Sequence, residues 1–247
     1  MGANVSTMEQ RKAIVVGASS GIGKELAILL AAQGYTVGIT GRRQELLNDL
    51  QQKYPGNFTV SCFDVSDTVA TTERLGQLTQ QLNGLDLIVI CAGYGDNNPD
   101  LDHRIEQATI NTNITGFTAV ADWAYQYFKQ QSKGHIVNIS SIAGLRGSGG
   151  APSYSATKAY QINYLEALQQ KANKGKDNIK ITDVRPGFVD TAMAKAEQKF
   201  WVSSPQKAAA DIVDAIKKQK QVIYVTKRWR LIAVLLKLLP RLWYTKL

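Results

Sequence analysis

The chain alternates short runs of apolar, often β-branched residues with longer segments in which apolar residues recur every three to four positions. The short runs do not alternate apolar with polar residues, so they predict strands covered on both faces. The longer segments predict amphipathic helices. Seven strands are predicted, at 12–18, 35–40, 58–64, 85–93, 134–141, 179–187 and 221–225. Helices are predicted between them, at 21–34, 43–54, 67–82, 103–131, 153–173 and 205–219.

This repetition predicts an α/β fold, with a doubly wound, Rossmann-like parallel sheet of about seven strands and helices on both faces. A length of 247 residues suits one such domain, and no linker or internal repeat divides the chain. We therefore predict a leader over 1–10, a single domain over 11–225 and a tail helix over 226–247. Ligands of such sheets bind beyond the carboxyl ends of the strands, so functional residues are expected just after strands.

The composition narrows the class of protein. Cys62 and Cys91 are the only cysteines, and each lies in an apolar run, so we predict no disulfide framework and no metal site. With no visible signal peptide and no apolar run of about 18 residues, this favours a reducing, cytoplasmic location. The net charge is +9, but six basic residues and no acidic ones lie from Thr226 onward. The excess charge therefore belongs mostly to the tail, and we expect no nucleic-acid partner.

A glycine-rich segment, GASSGIG, follows the first predicted strand. Its G-x-x-x-G-x-G spacing differs from the commonest dinucleotide fingerprint, but it meets the same needs: a tight turn, close backbone approach to a pyrophosphate, and helix packing. The following helix N-terminus offers free N–H groups to an anion. A glycine-rich turn without a ligand is the alternative. The predicted phosphate-binding residues are Gly17, Ser19, Ser20, Gly21, Ile22 and Gly23.

The second predicted strand ends in ITGRR, with Gly41 where NAD sites usually carry an acidic residue for the ribose. Guanidinium groups bind a 2′-phosphate through charge-assisted contacts, so Arg42 and Arg43 predict NADP(H), with Arg42 the preferred contact. Two solvated arginines at a helix start are the alternative. After the third strand, Asp64 is a candidate for the adenine amino group and Val65 for its ring. After the fourth, the small residues Cys91, Ala92 and Gly93 leave room for the cofactor.

The stretch SYSATK, in the helix after the fifth strand, carries two overlapping motifs. Tyr154 and Lys158 are four residues apart and share a helix face. A nearby ammonium group favours the phenolate, so Lys158 is expected to lower the pKa of Tyr154. Ser155 and Lys158 also form S-x-x-K, but the S-D-N and K-T-G elements of such serine nucleophile enzymes do not occur. A proton donor beside a hydride donor is what reduction of a ketone or aldehyde requires.

Together with CAG, NISS, YSATK and RPGFVDT in this order, the glycine segment resembles the short-chain dehydrogenase/reductase family over roughly residues 12–225. The resemblance implies a single NAD(P)-binding domain with an integral catalytic site and assembly as a homodimer or homotetramer through helices 103–131 and 153–173. It implies four catalytic residues: Tyr154 as general acid/base, Lys158 as the residue that lowers its pKa, Ser141 rather than Ser140 as the substrate-orienting serine, and Asn113 rather than Asn111 in the proton relay. Lys158 is also expected to bind the nicotinamide ribose, and Tyr154 to contact the cofactor. Pro186, Gly187, Val189 and Thr191 match the segment at the nicotinamide. Cys91 departs from the family's usual asparagine, so the way the turn is held needs another explanation.

The predicted function is NADPH-dependent interconversion of a carbonyl compound and an alcohol. One alternative is a non-catalytic NADP(H)-binding or membrane-associated regulatory protein. Another is an epimerase or dehydratase, although the G-x-x-G-x-x-G spacing usual in those enzymes does not occur here. The resemblance places 188–204 at the substrate, where Val189, Met193, Phe200 and Trp201 suit an apolar substrate or ordinary packing. The tail, with tryptophans and basic flanks, suits a membrane interface, a second subunit or a cover over the cleft. The start MGANVS fits the myristoylation pattern with Gly2 as acceptor. The alternatives are that Met8 is the native start or that residues 1–7 are a disordered leader.

Overall fold

The computed structural model describes residues 10–191 and 200–246. Seven strands lie within these ranges: β1 Lys12–Val16, β2 Thr36–Gly41, β3 Phe58–Cys62, β4 Leu87–Ile90, β5 Lys133–Ile139, β6 Asn178–Pro186 and β7 Val222–Val225. They form one sheet in the order β3-β2-β1-β4-β5-β6-β7, and every neighbouring pair is parallel. The predicted seven-stranded α/β sheet is confirmed. Gly2 and most of the predicted leader lie outside the described residues.

Helices connect the strands and begin where the sequence supplies caps. Asp67 accepts the N–H of Ala70 at one helix start, and Ser204 precedes a proline at another. No helix within the described ranges is long and apolar enough to cross a membrane. The helices are α1 Gly21–Ala32, α2 Gln44–Lys53, α3 Thr68–Gln81, α4 His103–Ile110, α5 Phe117–Gln130, α6 Pro152–Gly175, α7 Pro205–Lys217, α8 Trp229–Leu238 and α9 Arg241–Tyr244.

Two hydrophobic cores lie on the two faces of the sheet. Successive side chains of a strand point to opposite faces, so Ala13 and Val15 of β1 pack with α1, α2 and α7. Ile14 and Val16 of the same strand pack with α3, α5 and α6. Because both faces are covered, successive positions of the strand are mostly apolar. The continuous apolar runs of the sequence follow from this arrangement.

Two predicted helices are interrupted. The helix predicted over 103–131 consists of α4, a π-helical turn at Asn111–Gly116, and α5. At this turn the chain packs against the loop between β3 and α3. A Cβ on Gly116 would lie 2.7 Å from the carbonyl oxygen of Val65 in that loop. The predicted tail helix is divided into α8 and α9 at Pro240, which has no N–H to continue a helix. The apolar period continues through both breaks, which is why the sequence predicted single helices.

A buried histidine makes the stability of the sheet depend on pH. His135 of β5 is 9% exposed, and its Nε2 lies 2.8 Å from the hydroxyl of Thr182. That hydroxyl donates to the carbonyl of Lys220, so it accepts from His135, which is neutral with a proton on Nε2. Burial, and then the charge of Lys180, lowers the pKa of His135 to about 4. The unfolded chain, with an ordinary histidine pKa, therefore binds a proton that the folded chain does not.

We expect this difference to decrease the free energy of unfolding as the pH falls from about 6.5 to about 4, by about 3 kcal/mol at most. Urea unfolding at a series of pH values measures it. His135→Gln removes this part of the pH dependence, whereas His103→Gln, at an exposed position, retains it. An unchanged pH dependence in His135→Gln would contradict the assignment.

Candidate active site

A cleft of about 910 Å³ lies at the edge of the sheet where the strands end. This volume is within the range of about 300–1,000 Å³ that is common for ligand pockets. The residues after β1 to β6 line it, together with α6 and the tail. The strand order reverses between β1 and β4, the place where doubly wound sheets bind their ligands.

The glycine segment is wedged between the ends of two strands. The N–H groups of Gly17 and Ala18 both donate to the carbonyl oxygen of Thr40 at 3.0 and 2.8 Å. A Cβ on Gly17, which has φ +91°, would lie 2.5 Å from the backbone nitrogen of Ala92, and a Cβ on Gly23 would overlap the carbonyl of Gly17. These close approaches require glycine and set the start of α1 directly against the cleft. The predicted need for glycine here therefore has its explanation in the fold.

The two arginines after β2 have different partners. Arg43 lies across the glycine segment, where it donates to the hydroxyls of Ser19 and Ser20, each at 2.7 Å. Arg42 lies 3.5 Å from a carboxylate oxygen of Asp64. Burial opposes ionisation of Asp64, but hydrogen bonds from Ser66 and the charge of Arg42 outweigh it and lower the pKa of this carboxyl. Both guanidinium groups line the cleft, so the pair, rather than Arg42 alone, is available to an anion.

The turn after β4 is held from two sides. The side chain of Asn113 accepts the N–H of Tyr94 at 2.9 Å and donates to its carbonyl at 2.7 Å. On the other side, Cys91 accepts a hydrogen bond from the N–H of Gly23, while burial raises the pKa of its thiol to about 12. Cys91 is therefore an uncharged packing residue. These contacts explain how the turn is held without the family's asparagine.

Tyr154 and Ser141 meet in the cleft. The ring of Tyr154 stands so close to Gly95 that a Cβ there would overlap it. Burial raises the pKa of Tyr154, and a hydrogen bond with Ser141 only partly opposes this. The predicted lowering of this pKa by Lys158 is wrong for this structure, because desolvation dominates. The hydroxyl of Ser140 donates instead to Asp183, so Ser141 is the serine beside the tyrosine.

Lys158 is 3% exposed, and its ammonium group is held by two oxygen atoms. It donates to the carbonyl of Ile139 and to the side chain of Gln161, both at 3.0 Å. The Nζ atom lies 5.8 Å from the centre of the Tyr154 ring. Burial lowers the pKa of Lys158 to about 8. In this structure the lysine bonds directly to Ile139 and Gln161, and it stands beside the ring of the tyrosine.

Gln161, which the sequence analysis missed, joins Lys158 to the π-helical turn. Its side-chain nitrogen donates to the carbonyl of Asn113 at 2.9 Å, while its oxygen accepts from Lys158. Gln161 is fully buried, and Asn138 of β5 also donates to it at 3.3 Å. The available signal was its position three residues after Lys158, on the same helix face.

The tail covers the outer side of the cleft. The indole of Trp229 lies against Gly187, where a Cβ would overlap it. Trp229 also forms an aromatic cluster with Phe188, Phe200 and Trp201, at ring separations of 4.9 to 5.9 Å. Of the three predicted roles for the tail, the structure places it over the cleft. This placement concerns only the side of the tail that faces the cleft.

Most predicted site residues come together here. Ser141, Tyr154 and Lys158 line the cleft, whereas Asn113 lies behind it and Asn111 accepts from Gln107 outside it. Met193 lies outside the described residues. Gly23 is the one predicted cofactor residue that does not line the cleft. Those that do are Gly17, Ser19, Ser20, Gly21, Ile22, Arg42, Arg43, Asp64, Val65, Cys91, Ala92, Gly93, Pro186, Gly187, Val189 and Thr191.

Comparison with known families identifies this arrangement. Residues 11–200 match the family model described as short chain dehydrogenase. The chain belongs to the short-chain dehydrogenase family. A Myxococcus xanthus protein named as an uncharacterized oxidoreductase is 35% identical over 194 residues, which cover 76% of each chain. A Staphylococcus epidermidis protein of the same description is 30% identical over 193 residues, or 77% of this chain and 83% of the relative. This short-chain dehydrogenase is thus an NAD(P)-dependent oxidoreductase.

Solved structures agree on the fold. A short-chain dehydrogenase from Streptomyces avermitilis superposes with a TM-score of 0.79 at 24% identity, over 93% of this chain and 92% of the other. A short chain dehydrogenase from Bacillus anthracis gives a TM-score of 0.80 at 20% identity, over 89% and 96% of the two chains. At these identities the likeness concerns the fold of the short-chain dehydrogenase.

Removing the Gln161 amide tests its place in the network. Gln161→Leu takes one acceptor from a buried ammonium group, so we expect a loss of about 1–3 kcal/mol in the free energy of unfolding. The matched control is Gln170→Leu, at an exposed position of the same helix, which we expect to change it by less than about 0.5 kcal/mol. Urea denaturation measures both, and equal effects would contradict the assignment.

Proposed function

We propose that this enzyme uses NADPH to interconvert a ketone or aldehyde and an alcohol, on an apolar substrate, with Tyr154 as proton donor or acceptor. The observation that carries the proposal is the meeting of Ser141 and Tyr154 in the same cleft as the glycine segment and the two arginines. A proton donor and a dinucleotide site in one cleft are what hydride transfer to a carbonyl group requires.

The residues of the cleft fit a bound NADP(H). The backbone near Gly17 and the N-terminus of α1 would hold the pyrophosphate, because no side chain can occupy that space. Arg42 and Arg43 would hold the 2′-phosphate, and no acidic residue stands at Gly41 to repel it. Thr191, whose methyl group would lie 3.1 Å from a Cβ on Gly21, would close over the cofactor. Bound NADPH supplies the hydride.

The chain's own groups supply the proton. Ser141, hydrogen-bonded to Tyr154, is placed to orient a carbonyl oxygen beside the phenol. Since burial raises the pKa of Tyr154, the phenol is protonated at neutral pH and is ready to donate as negative charge develops on that oxygen. Lys158 uses two of its three N–H donors on Ile139 and Gln161, and it lines the cleft, where the third can serve a ligand hydroxyl.

The outer part of the cleft supports an apolar substrate. Phe188, Phe200, Trp229, Ile232 and Leu236 line it, and all five are aromatic or aliphatic. The indole Nε1 of Trp229 is buried against Gly187. A wall of this composition suits a substrate with a hydrocarbon body. Assembly through α4, α5 and α6 stays a prediction of the family resemblance.

Replacing the phenol tests the catalytic assignment. Tyr154→Phe removes the proton donor but retains the ring, so we expect carbonyl reduction to slow by about 10²–10⁴-fold with NADPH affinity near that of the wild type. A panel of ketones and aldehydes, followed by NADPH absorbance, measures turnover, and fluorescence titration measures binding. Tyr160→Phe on the same helix is the control, because that hydroxyl bonds to Thr118 outside the cleft.

A Tyr154→Phe enzyme that retained most of its rate would refute Tyr154 as the donor. A wild-type protein that binds NADPH but reduces no carbonyl compound would instead favour the non-catalytic alternative.

Cofactor preference depends on the arginine pair. We expect Arg43→Ala and Arg42→Ala each to raise the Kd for NADPH by about 10–100-fold, because each removes charged hydrogen bonds to the 2′-phosphate. The Kd for NADH, which lacks this phosphate, stays near the wild-type value. Arg74→Ala, at an exposed position on α3, is the control. An unchanged ratio of the two constants in both cleft variants would remove the preference for NADPH.

A further inference from the structure

The tail is built into the wall of the cleft by its inner side. Trp229 and Ala233 of α8 are 2% and 1% exposed, and Ile232 and Leu236 line the cleft beside them. Tyr244 of α9 lines it as well. The inner side of the tail is therefore accounted for by packing within the molecule.

Polar contacts fix the tail in this place. Arg146 donates to the carbonyl oxygens of Leu236 at 2.7 Å and of Leu239 at 2.5 Å, which belong to the unpaired carbonyl groups at the end of α8. The hydroxyl of Tyr244 donates to the carbonyl of Gly147 at 2.6 Å. The orientation of the opposite side of the tail is thereby set.

That opposite side is also apolar, although nothing in the described chain covers it. Six of its residues are between 51% and 77% exposed and follow one another along α8 and α9. A row of exposed apolar side chains of this size on a surface marks an interaction site. We call this row the outer face: Leu231, Val234, Leu235, Leu238, Leu242 and Trp243.

The charge around the outer face indicates its partner. From Thr226 to the end, the chain carries six basic residues and no acidic one. In a symmetric dimer this face would meet its own copy, which would bring twelve cationic groups together and be opposed by repulsion. An anionic lipid surface attracts the same cations, and leucine and tryptophan side chains enter its interfacial layer.

We propose that the outer face docks on an anionic lipid surface and that the substrate is a lipophilic carbonyl compound drawn from that surface. The second half of this inference rests on the proposed carbonyl reduction, whereas the first half does not. Docking in this orientation would set the cleft about one helix diameter, ~10 Å, from the lipid.

The helix geometry gives the substrate an apolar route. At about 100° per residue, Leu235 of the outer face lies ~60° from Ile232, which lies ~40° from Leu236 in the cleft wall. Apolar side chains therefore continue around one side of α8 from the outer face to the cleft. The basic residues Arg230 and Lys237 lie on the other side of the outer face, where they do not interrupt this route. Arg228, the residue before α8, lies on the side of this route one turn before Ile232, with its guanidinium group over the ring of Trp201.

Vesicle binding of the full chain tests the docking. We expect the wild type to sediment with vesicles of phosphatidylcholine and phosphatidylserine, more weakly with phosphatidylcholine alone, and less as salt is added. We expect the partition coefficient onto anionic vesicles to fall at least about tenfold in the variant Leu235→Ser/Leu238→Ser/Leu242→Ser. The reason is that three apolar side chains no longer enter the lipid. The matched control, Leu46→Ser/Val69→Ser/Leu101→Ser, changes three exposed apolar residues elsewhere and should bind as the wild type does.

Three results would overturn the docking. The first is that the wild type does not sediment with vesicles, and the second is that it binds charged and neutral vesicles equally. The third is that the triple leucine variant, called the outer-face variant, binds as strongly as the wild type. Loss of a dimer in the outer-face variant, seen by light scattering without any vesicle binding, would assign the face to a second copy instead. NADPH titration of each variant confirms that it is folded, because the three changed leucines do not line the cleft.

Turnover tests the substrate class separately. For a long-chain aldehyde carried in anionic vesicles, we expect kcat/KM of the outer-face variant to fall about tenfold, in line with its partitioning. For a water-soluble short-chain aldehyde, kcat/KM of the variant should equal that of the wild type. If the variant also equals the wild type for the long-chain aldehyde, delivery from lipid is overturned. If neither aldehyde is reduced by the wild type, the proposed function and this substrate class fail, while the vesicle result still decides the docking.

Discussion

The ammonium group of Lys158 lies among the ends of β5, the start of α6 and the π-helical turn, with 3% of the residue exposed. A cation in such surroundings is strongly disfavoured unless oxygen atoms replace its water. Here the oxygens come from Ile139 at the end of β5 and from Gln161 one turn along α6. Gln161 in turn requires the carbonyl of Asn113. One buried charge thus fixes the relative positions of three elements, and these elements form the floor of the cleft.

The same constraint separates two kinds of polar residue at the site. Asn113 and Gln161 act inside the protein, where they hold backbone and side-chain groups in place. Ser141 and Tyr154 face the cleft and have bonding capacity for a ligand. This division explains why the lysine lies 5.8 Å from the centre of the tyrosine ring and does not share a hydrogen bond with it in the structure. Its direct bonds, to Ile139 and Gln161, hold the ammonium group in position.

Much of this could be predicted from the sequence, because the signals are local. The continuous apolar runs predicted a sheet covered on both faces, and the glycines after β1 predicted a close approach that the backbone of Ala92 makes necessary. Other features depend on distant parts of the chain. The preference of Arg43 for Ser19 and Ser20 was not visible, since the two segments meet only in the fold. Burial also raises the pKa of Tyr154, and burial of that kind cannot be obtained from a spacing of four residues.

The cover formed by the tail connects substrate class with proton chemistry. Trp229, Leu236 and Tyr244 line the outer side of the cleft with largely apolar surface. Less water around a phenol favours its neutral form, which agrees with the raised pKa of Tyr154. Under the proposed function, this neutral phenol is the form that donates a proton to a carbonyl oxygen, whereas oxidation of an alcohol would need the phenolate. The apolar side chains proposed to hold a hydrocarbon substrate would then also favour the form of the tyrosine that carbonyl reduction uses.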